Sequence, residues 1–555
     1  MAPAGGRGTA VPFAYSIYSS RQVAPSAYVP ARDTDVTQLP TYVVTGTRVL
    51  PPPESWYYAK LPSIEVLSNA SKSETRHFLD DFQRLQIALR IVWPALMDAK
   101  AGMSTLLVLC GRNGTYDTLK PARSAGSDSI ALSNCFLAED TERSAIVMDY
   151  TWYGGSQRSN QVMYDPYRIF YTNYAHFLIR RSNPGRRLPA WFESGLAQLI
   201  STIDFNDKWV QFAQINKDLF ITPGFNPYAT RGRGQSSMYL LPMEDIFSNN
   251  RRVNGRTRTA QSYAFVHMCL YGKHEKYQKP LAQFVQIATD RAVTEDDFKK
   301  CFGCSYADMQ LELRNYLDNM DYKSMLFRPK KGSAGMPQPS PVDIRDATQG
   351  EIGCIKGEVF RLGGSPVEAA NAEIGAYMRG AKDPDLLASL GMAEHEAKRE
   401  DRAVRFLEAA TKSNVQRPYA YLTLAQIRFR QETLGADEVK LDASQVVSVL
   451  DPLSVALKQP PPMPDTYALI GNVWINSETP PTKDQMSVVL QGVRQFPANA
   501  NLVYNAASLY AKYGDAATAA NLIKLGQRIT NQPQSMQDKF AALQASLPAA
   551  PAASE

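Results

Sequence analysis

The chain has 555 residues, of which 44% are hydrophobic and 21% are charged, an ordinary balance for a globular protein with two or more domains. Its formal net charge of +6 is small for this length, so charge gives no reason to expect a nucleic-acid partner. No stretch approaches the ~20 consecutive apolar residues of a membrane-spanning helix, so no transmembrane segment is predicted.

The first segment of the chain, residues 1–54, is rich in Pro, Ala, Gly, Ser and Thr. This composition offers too little apolar surface to offset the entropy lost on ordering, which predicts a flexible leader. The leader has no basic stretch followed by an apolar stretch, so no signal peptide is visible in it. At the other end, residues 549–555 are predicted to form a short tail.

Regular structure is predicted to follow the leader. Ser71 and Glu74 have the spacing of a capping box, which marks the start of a helix. That helix has one apolar stripe at three- and four-residue spacing, formed by Phe78, Phe82, Leu85, Leu89 and Val92. Runs rich in β-branched and apolar residues at 105–111 and 144–152 predict buried strands, and apolar helices follow them. Residues 55–326 are therefore predicted to form an α+β domain, with a small mixed sheet followed by a helical subdomain.

A stretch with four prolines and two glycines, residues 327–343, has no periodic apolar pattern and is predicted to be a linker. After it the sequence predicts helices with a repeated spacing of small residues. Gly391, Ala403 and Ala410 occupy the eighth, twentieth and twenty-seventh positions of a ~34-residue unit, which is the tetratricopeptide spacing. Residues 344–548 are therefore predicted to form about five helix pairs in an all-α solenoid, with a generic helical bundle as the alternative.

The stretch YTNYAHFLIRRSNPGRRLPAWFESGLAQLI, residues 171–200, holds the candidate site. It predicts a helix with a histidine, a short loop and a second helix that opens with Pro-x-Trp. Together with TLLVLCG, AIVMDY, LPMEDIF, QSYAFVHMCLYG and CFGCSYADMQLELRNYL, it resembles the gluzincin-type metallopeptidases with a peptidase-MA-like domain, many of which carry tetratricopeptide repeats. The resemblance covers about 60–325 and implies a zincin-like fold.

In the family that the chain resembles, zinc is held by both histidines of His-Glu-x-x-His and by the glutamate of Trp-x-x-Glu-Gly-x-Ala. Aligning His176 with the second histidine puts Thr172 at the first histidine and Asn173 at the glutamate that acts as general base. Aligning Trp191 puts Ser194 at the glutamate ligand. Threonine is a poor zinc ligand, and a neutral amide cannot accept a proton at pH 7. The resemblance therefore implies an inactive homologue that holds no cofactor.

Glu193 lies one residue before the aligned ligand position, so on a helix it is turned from that position by about 100°. A bulge would bring it back, and the alternative prediction is an active zinc metallopeptidase with relocated ligands. With His176 it would supply two ligands, fewer than a tight zinc site needs. The candidate residues of an old substrate cleft that binds peptides are Asn173, His176, Trp191 and Glu193.

Protein or peptide partners are expected on the helical repeats, where a groove between helices offers a large surface. The candidate aromatic residues near this groove are Tyr419, Tyr421, Tyr467, Trp474 and Tyr504. Some of them are expected in the core between repeats, the usual place of large residues at helical spacing. The predicted function is a scaffold for protein partners, and a purely structural role for both halves is a further alternative. The sequence does not indicate an oligomeric state.

Cysteine usage leaves the cellular location open. Cys110 and Cys135 could form a disulfide bond if the protein is exported. The single CxxC at 301–304 has no second pair and no nearby histidine, so no zinc site is predicted there. Peptidases of the resembled family with repeats are often exported in bacteria, which favours the cell envelope or periplasm as the expected location.

Overall fold

The structure of the chain is a computed structural model. It describes residues 18–20, 38–44, 52–97, 104–112, 114–121, 134–140, 142–152, 166–182, 187–214, 240–248, 255–272, 275–319, 324–329, 336–434, 440–529 and 532–547. Most of the predicted leader, residues 330–335 of the predicted linker and the predicted tail lie outside these residues. The chain divides into two compact units, Trp56–Asp346 and a second formed by Met1–Ser55 together with Ala347–Glu555.

The described strands all lie before residue 347 of the chain. They are β1 (Tyr18–Ser20), β2 (Tyr42–Val44), β3 (Tyr57–Leu61), β4 (Ile64–Ser68), β5 (Ser104–Cys110), β6 (Cys135–Glu139), β7 (Arg143–Asp149), β8 (Asp204–Phe205), β9 (Val210–Phe212), β10 (Met325–Phe327) and β11 (Ile344–Asp346). The helices of the Trp56–Asp346 unit are α1 (Lys72–Val92), α2 (Pro94–Met97), α3 (Thr115–Leu119), α4 (Pro166–Ser182), α5 (Ala190–Ser201), α6 (Met243–Phe247), α7 (Gly255–Tyr271), α8 (Gln278–Asp290), α9 (Glu295–Phe302) and α10 (Tyr306–Asn319).

The second unit continues the helix numbering. Its helices are α11 (Gln349–Leu362), α12 (Pro366–Met378), α13 (Pro384–Glu396), α14 (Glu400–Lys412), α15 (Pro418–Thr433), α16 (Ala443–Ala456), α17 (Pro464–Ile475), α18 (Lys483–Gln495), α19 (Ala500–Tyr513), α20 (Ala516–Gln527) and α21 (Gln534–Ser546). No helix in the described part of the chain combines the length and the apolar character needed to cross a membrane.

A mixed sheet forms the base of the Trp56–Asp346 unit. Within the described residues it has six strands in the order β11-β3-β4-β5-β7-β6. The central strands β4, β5 and β7 are parallel, whereas β6 runs antiparallel to β7 at one edge. Helix α1 provides the crossover that the parallel neighbours β4 and β5 require. Helix α4 packs against β6 and β7, and the predicted small mixed sheet is confirmed.

Helix α1 begins at the predicted capping box and packs its apolar stripe inward. The Ser71 hydroxyl accepts from the backbone N–H of Glu74, whose carboxylate accepts from the N–H of Ser71 at 2.9 Å. Phe78 and Phe82 are buried, and their rings lie 5.1 and 5.4 Å from the ring of Phe170 in α4. These edge-to-face aromatic contacts fix α4 beside α1, because such pairs stabilise beyond the area they bury.

The stretch predicted to be a linker, 327–343, packs against α1 in its described part. The backbone N–H of Ser340 donates to the side chain of Gln83 at 3.0 Å, and the amide of Gln83 donates back to the Ser340 carbonyl at 2.9 Å. Met336 and Val342 pack on the core beneath. The prolines prevent a helix, but the side-chain amide of Gln83 forms hydrogen bonds with the extended backbone at Ser340 and fixes it on α1. The described residues of this stretch therefore belong to the Trp56–Asp346 unit.

A second core in the same unit lies between α5 and the helices that follow. Gly195 lets α5 approach α7 closely, because a Cβ there would lie 2.8 Å from the carbonyl oxygen of Ser262. His267 of α7 is fully buried beside this contact region of the core. Its Nε2 lies 3.1 Å from the carbonyl oxygen of Ala213, and its Nδ1 lies 2.7 Å from the hydroxyl of Tyr316. Because a carbonyl only accepts, Nε2 carries the proton, and Nδ1 accepts from the tyrosine.

We expect His267 to make the stability of this unit depend on pH. Burial lowers the pKa of His267 from 6.5 to about 4, so the unfolded chain binds a proton at a higher pH than the folded chain. The free energy of unfolding should therefore fall as the pH decreases from about 6.5 to 4, by ~3 kcal/mol in total. The free energy of unfolding, measured by urea denaturation at several pH values in this range, should fall with decreasing pH in the wild-type chain. It should fall less steeply with pH in His267→Gln. Equal slopes would contradict the prediction.

The helices of the second unit pack in consecutive pairs: α11 with α12, α13 with α14, α15 with α16, α17 with α18, and α19 with α20, followed by α21. Short connections make the members of a pair antiparallel. Small residues lie where two helices approach most closely. A Cβ at Gly391 would lie 2.6 Å from Leu407, and one at Gly526 would lie 2.2 Å from the ring of Phe540. The predicted tetratricopeptide-like helical repeats are therefore confirmed.

We expect Gly391→Ala to destabilise the repeats. Alanine favours a helix over glycine by about 1 kcal/mol, but the added methyl group would force α14 away from α13. The net loss in the free energy of unfolding should be ~1–3 kcal/mol. Glu396→Ala, at an exposed position of the same helix, is the matched control and should change stability by less than ~0.5 kcal/mol. Chemical denaturation of both variants checks this, and an unchanged midpoint for Gly391→Ala would contradict the close packing.

Candidate functional site

Helices α4 and α5 carry the candidate site and pack directly against each other. Arg168 of α4 connects them, because its guanidinium donates to the carbonyls of Ser201 and Ile203 at the C-terminal end of α5, the latter at 3.1 Å. A cation at this end also complements the dipole of α5. Arg168 thus helps to hold α4 and α5 together, so that the face of α4 with His176 lies against the face of α5 with Glu193.

An ion network spans the facing surfaces of α4 and α5. Nδ1 of His176 lies 2.8 Å from Oε1 of Glu193. Arg180, one turn after the histidine, donates from Nε to the same carboxylate oxygen at 2.6 Å. Its Nη1 donates to Glu139 of the edge strand β6 at 2.7 Å. The network therefore joins α4, α5 and the edge of the sheet, and the Glu193 side chain within it is only 8% exposed.

The charge state of this network follows from its contacts. Burial alone would raise the pKa of Glu193, but the hydrogen bond from His176 and the charge of Arg180 outweigh burial and hold this pKa below its ordinary value. Glu193 is therefore ionised at neutral pH, and its oxygens can only accept hydrogen bonds. Nδ1 of His176 accordingly carries the hydrogen and donates a hydrogen bond to the carboxylate.

The side chains on α4 and α5 differ from the zinc-ligand set of the family that the sequence resembles. The side chains of Thr172 and Asn173 each donate to the carbonyl four residues earlier in their own helix, at 2.8 and 3.0 Å. The charge of Glu193 is compensated by Arg180, a permanent cation. Among the residues that the structure describes, no three His, Cys, Asp or Glu side chains are grouped so that they could hold a metal ion.

The other predicted cleft positions lie as follows. Helix α5 is regular from Ala190 to Ser201, and Glu193 faces His176 without a bulge, while Ser194 is half-buried one residue further on. Trp191, predicted to line the cleft, is instead buried in the second core. Its ring packs edge-on against an aromatic ring of α6 at 5.0 Å, so it supports α5 from behind. A buried indole of this size contributes to packing and not to a cleft surface.

Two members of the network were missed by the sequence analysis. Arg180 has a sequence signal, because it lies four residues after His176 and so on the same face of a helix. Glu139 has no such signal, since its strand approaches α4 only in the folded sheet. The edge position of β6 determines this contact, and nothing in the local sequence indicates it.

The cysteines do not form the disulfide bond that export would allow. Cys110 and Cys135 are both buried thiols. Strand β7 separates their strands, so their Cα atoms are two strand spacings, or about 10 Å, apart. A disulfide bond needs less than about 7 Å. In the CxxC at 301–304, burial raises the pKa of both thiols, which disfavours the reactive thiolate form.

The aromatic residues predicted for the groove of the repeats have different environments. Tyr421, Tyr467 and Trp474 are buried in the cores between helices, with exposed fractions of 4%, 3% and 7%. Tyr504 packs on a phenylalanine ring of α21 at 5.5 Å. Tyr419 is 36% exposed, so it presents the largest surface of these predicted residues.

Comparison with known proteins adds little to this description. No protein-family model matches the sequence, and no curated protein matches it. A thermophilic tetratricopeptide-repeat protein of Thermus thermophilus is similar to 34% of the chain over 96% of its own length, with 12% identity and a TM-score of 0.26. A chain in the crystal structure of the APC/C hetero-tetramer Cut9–Hcn1 is similar to 68% of this chain over 67% of its own length, with 14% identity and a TM-score of 0.28. The helical repeats are identified by the packing of consecutive helix pairs.

We expect Arg180 to be essential for the packing of α5 on α4. Arg180→Met would leave the carboxylates of Glu193 and Glu139 without their shared cation, which should lower the free energy of unfolding by about 3 kcal/mol. Arg187→Met is the matched control, because that guanidinium is 81% exposed and lies 3.9 Å from Glu139. It should cost less than ~1 kcal/mol.

Urea denaturation at pH 7 measures both variants. Adding Glu193→Gln to Arg180→Met should recover part of the loss, since a neutral amide needs no cation. Equal effects of Arg180→Met and Arg187→Met would contradict the role given to the network.

Proposed function

We propose that the chain is a protein-binding scaffold whose helical repeats carry partner binding, and that its Trp56–Asp346 unit is a catalytically inactive domain of zincin-like fold. The observation that carries the proposal is the ion network around Glu193. Where the resembled family has a zinc ligand set and a general base, this chain has an arginine compensating a buried carboxylate. Asn173 at the position of the general base is neutral and cannot take a proton from water.

The arrangement of elements supports a zincin-like origin for this unit. An antiparallel edge strand lies beside the helix that carries His176, and the next helix turns a glutamate toward that histidine. The same two helices hold the metal in the family that the sequence resembles. Among the described strands, β6 pairs on one side only, with β7. An extended peptide could add to such an edge through main-chain hydrogen bonds, and this binding mode requires no metal.

The packing of the second unit supports the scaffold role. Consecutive helix pairs bury their apolar faces against one another, so the remaining faces form extended surfaces, the usual basis of protein binding in helical repeats. Tyr419 on α15 is an exposed aromatic side chain on such a surface. Tyrosines of this kind are frequent among the residues that dominate binding energy.

The inactive assignment predicts that the purified chain holds no stoichiometric zinc. Dialysis against zinc followed by dialysis against metal-free buffer, with elemental analysis, should leave well below one zinc per chain. His176 and Glu193 would supply only two ligands, and Arg180 competes electrostatically for the carboxylate. About one zinc per chain, lost in His176→Ala, would contradict the assignment and favour a metallopeptidase with relocated ligands.

The scaffold role is tested on the full chain with two matched variants. Tyr419→Ala should weaken capture of native partners at least several-fold in quantitative pull-downs, because it removes an exposed aromatic contact from the repeats. His176→Ala, on the other unit, should leave capture unchanged. Thermal denaturation of each variant shows whether its fold is retained. Capture that depends on His176 and not on Tyr419 would move the binding function to the α4–α5 site.

A further inference from the structure

A short extended segment from the predicted leader, residues 38–44, is held on the helical repeats of its own unit. Its strand β2 pairs antiparallel with β1. Leu39 and Tyr42 pack against the hydrophobic cluster that includes α13 and α14. The tyrosine contacts Glu394, which lies 352 residues away in the sequence. The prediction of a flexible leader therefore does not hold for this segment, because tertiary contacts order it.

The side chain of Tyr42 lies in a slot formed by Tyr377, Phe406, Arg402 and Glu394. Its ring lies 5.9 Å from the ring of Tyr377 in α12 and 6.1 Å from that of Phe406 in α14. The guanidinium of Arg402 lies over the same ring, 4.5 Å from its centroid. At the end of the slot the phenol donates to the carboxylate of Glu394 in α13. Burial and the neighbouring carboxylate raise the pKa of Tyr42, so the phenol stays protonated and remains a donor.

Two further hydrogen bonds hold the main chain before the tyrosine. The hydroxyl of Tyr377 donates to the carbonyl of Pro40 at 3.0 Å, and Nη1 of Arg402 donates to the carbonyl of Thr41 at 3.2 Å. The proline is buried, whereas the threonine is exposed. The slot therefore recognises proline, any residue and tyrosine in an extended conformation. Main-chain hydrogen bonds combined with a pocket for a side chain also give affinity and specificity in other complexes with extended peptides.

The described residues of the segment leave one hydrogen-bond donor of the slot, on Arg402, without an acceptor. Nε of Arg402 bonds Glu394 and Nη1 bonds the segment, but Nη2 is buried without a hydrogen-bond partner among the residues that the structure describes. A buried donor of a charged group without an acceptor is costly. A partner segment that places an acceptor at this point would remove that cost.

We propose that the slot between α12, α13 and α14 is a binding site for an extended Pro-x-Tyr segment of a partner protein, which residues 39–42 of the chain itself occupy until they are exchanged. The proposal rests on the proposed binding role of the repeats and names the class of segment they take. Within the described residues 38–44, Leu39, Pro40 and Tyr42 make the packing contacts of the segment in place. A partner binds only when this segment has left the slot. Its apparent affinity is therefore its affinity for the open slot multiplied by the fraction of chains in which the slot is open.

The test uses a fluorescent peptide with the sequence of residues 38–44, QLPTYVV, and the full-length chain. Tyr42→Ala should open the slot and bind the peptide at least ~10-fold more tightly than the wild-type chain. Val43→Ala is the matched control, because Val43 is 42% exposed, and it should bind as the wild type does. A peptide with alanine for its tyrosine should bind ~10-fold more weakly, as should the double variant Tyr42→Ala/Glu394→Gln.

The results that overturn the proposal are specific. The proposal fails if the Tyr42→Ala chain has wild-type circular dichroism but does not bind the peptide. It also fails if the Tyr42→Ala and wild-type chains bind the peptide equally. A concentration-dependent wild-type dimer that Tyr42→Ala abolishes would instead assign the slot to a second copy of the chain. Failure of peptide binding while partner capture still depends on Tyr419 would reject this slot and leave the scaffold role standing.

If Tyr42→Ala does not fold, hydrogen exchange on the wild-type chain replaces it. Excess QLPTYVV peptide should speed amide exchange in residues 38–44, because these residues leave the slot, and should leave exchange in α19 and α20 unchanged. Unaltered exchange in residues 38–44 at saturating peptide would overturn the proposal.

Discussion

The buried carboxylate of Glu193 must be compensated wherever α5 packs on α4, and this requirement organises the centre of the Trp56–Asp346 unit. An isolated ionised carboxylate is costly to bury unless it is paired and hydrogen-bonded. Here one oxygen accepts from both His176 and Arg180, and the second end of the same guanidinium reaches Glu139. The sheet edge and both helices are thereby linked through one cation. A metal ion would compete with that cation, which is covalently part of the chain.

The same constraint appears in the helical repeats, where it is met by two arginines. Glu358 of α11 is fully buried and pairs at 2.7 Å with Arg417, itself fully buried, just before α15. Arg361 pairs with the same carboxylate from the next turn of α11. Near it, burial and the neighbouring carboxylate of Glu358 raise the pKa of Glu373 well above its ordinary value. This ion pair connects α11 with the residue that precedes α15, two helix pairs further along the repeats.

The local features were predictable, and the long-range polar contacts were not. The capping box at Ser71, the apolar stripe beginning at Phe78 and the small residue at Gly391 follow from periodicities within one or two helices. The contact of Glu193 with His176 depends on how α5 is rotated relative to α4, and alignment to a family motif placed that contact one residue later. Composition predicted a flexible leader. It could not indicate that Tyr42 has a slot on helices more than 300 residues away.

Charge compensation distinguishes the two sites and explains why only one of them is suited to exchange. Removing Arg180 from the α4–α5 site would leave two carboxylates without their shared cation. Removing Tyr42 from the repeat slot leaves the carboxylate of Glu394 with both of its arginines, because Arg399 and Arg402 each donate to it. The phenol contributes a hydrogen bond and aromatic contacts, but no compensating charge. The first site is therefore held closed by electrostatics, whereas the second loses no compensating charge, only contacts that another tyrosine-containing segment can replace.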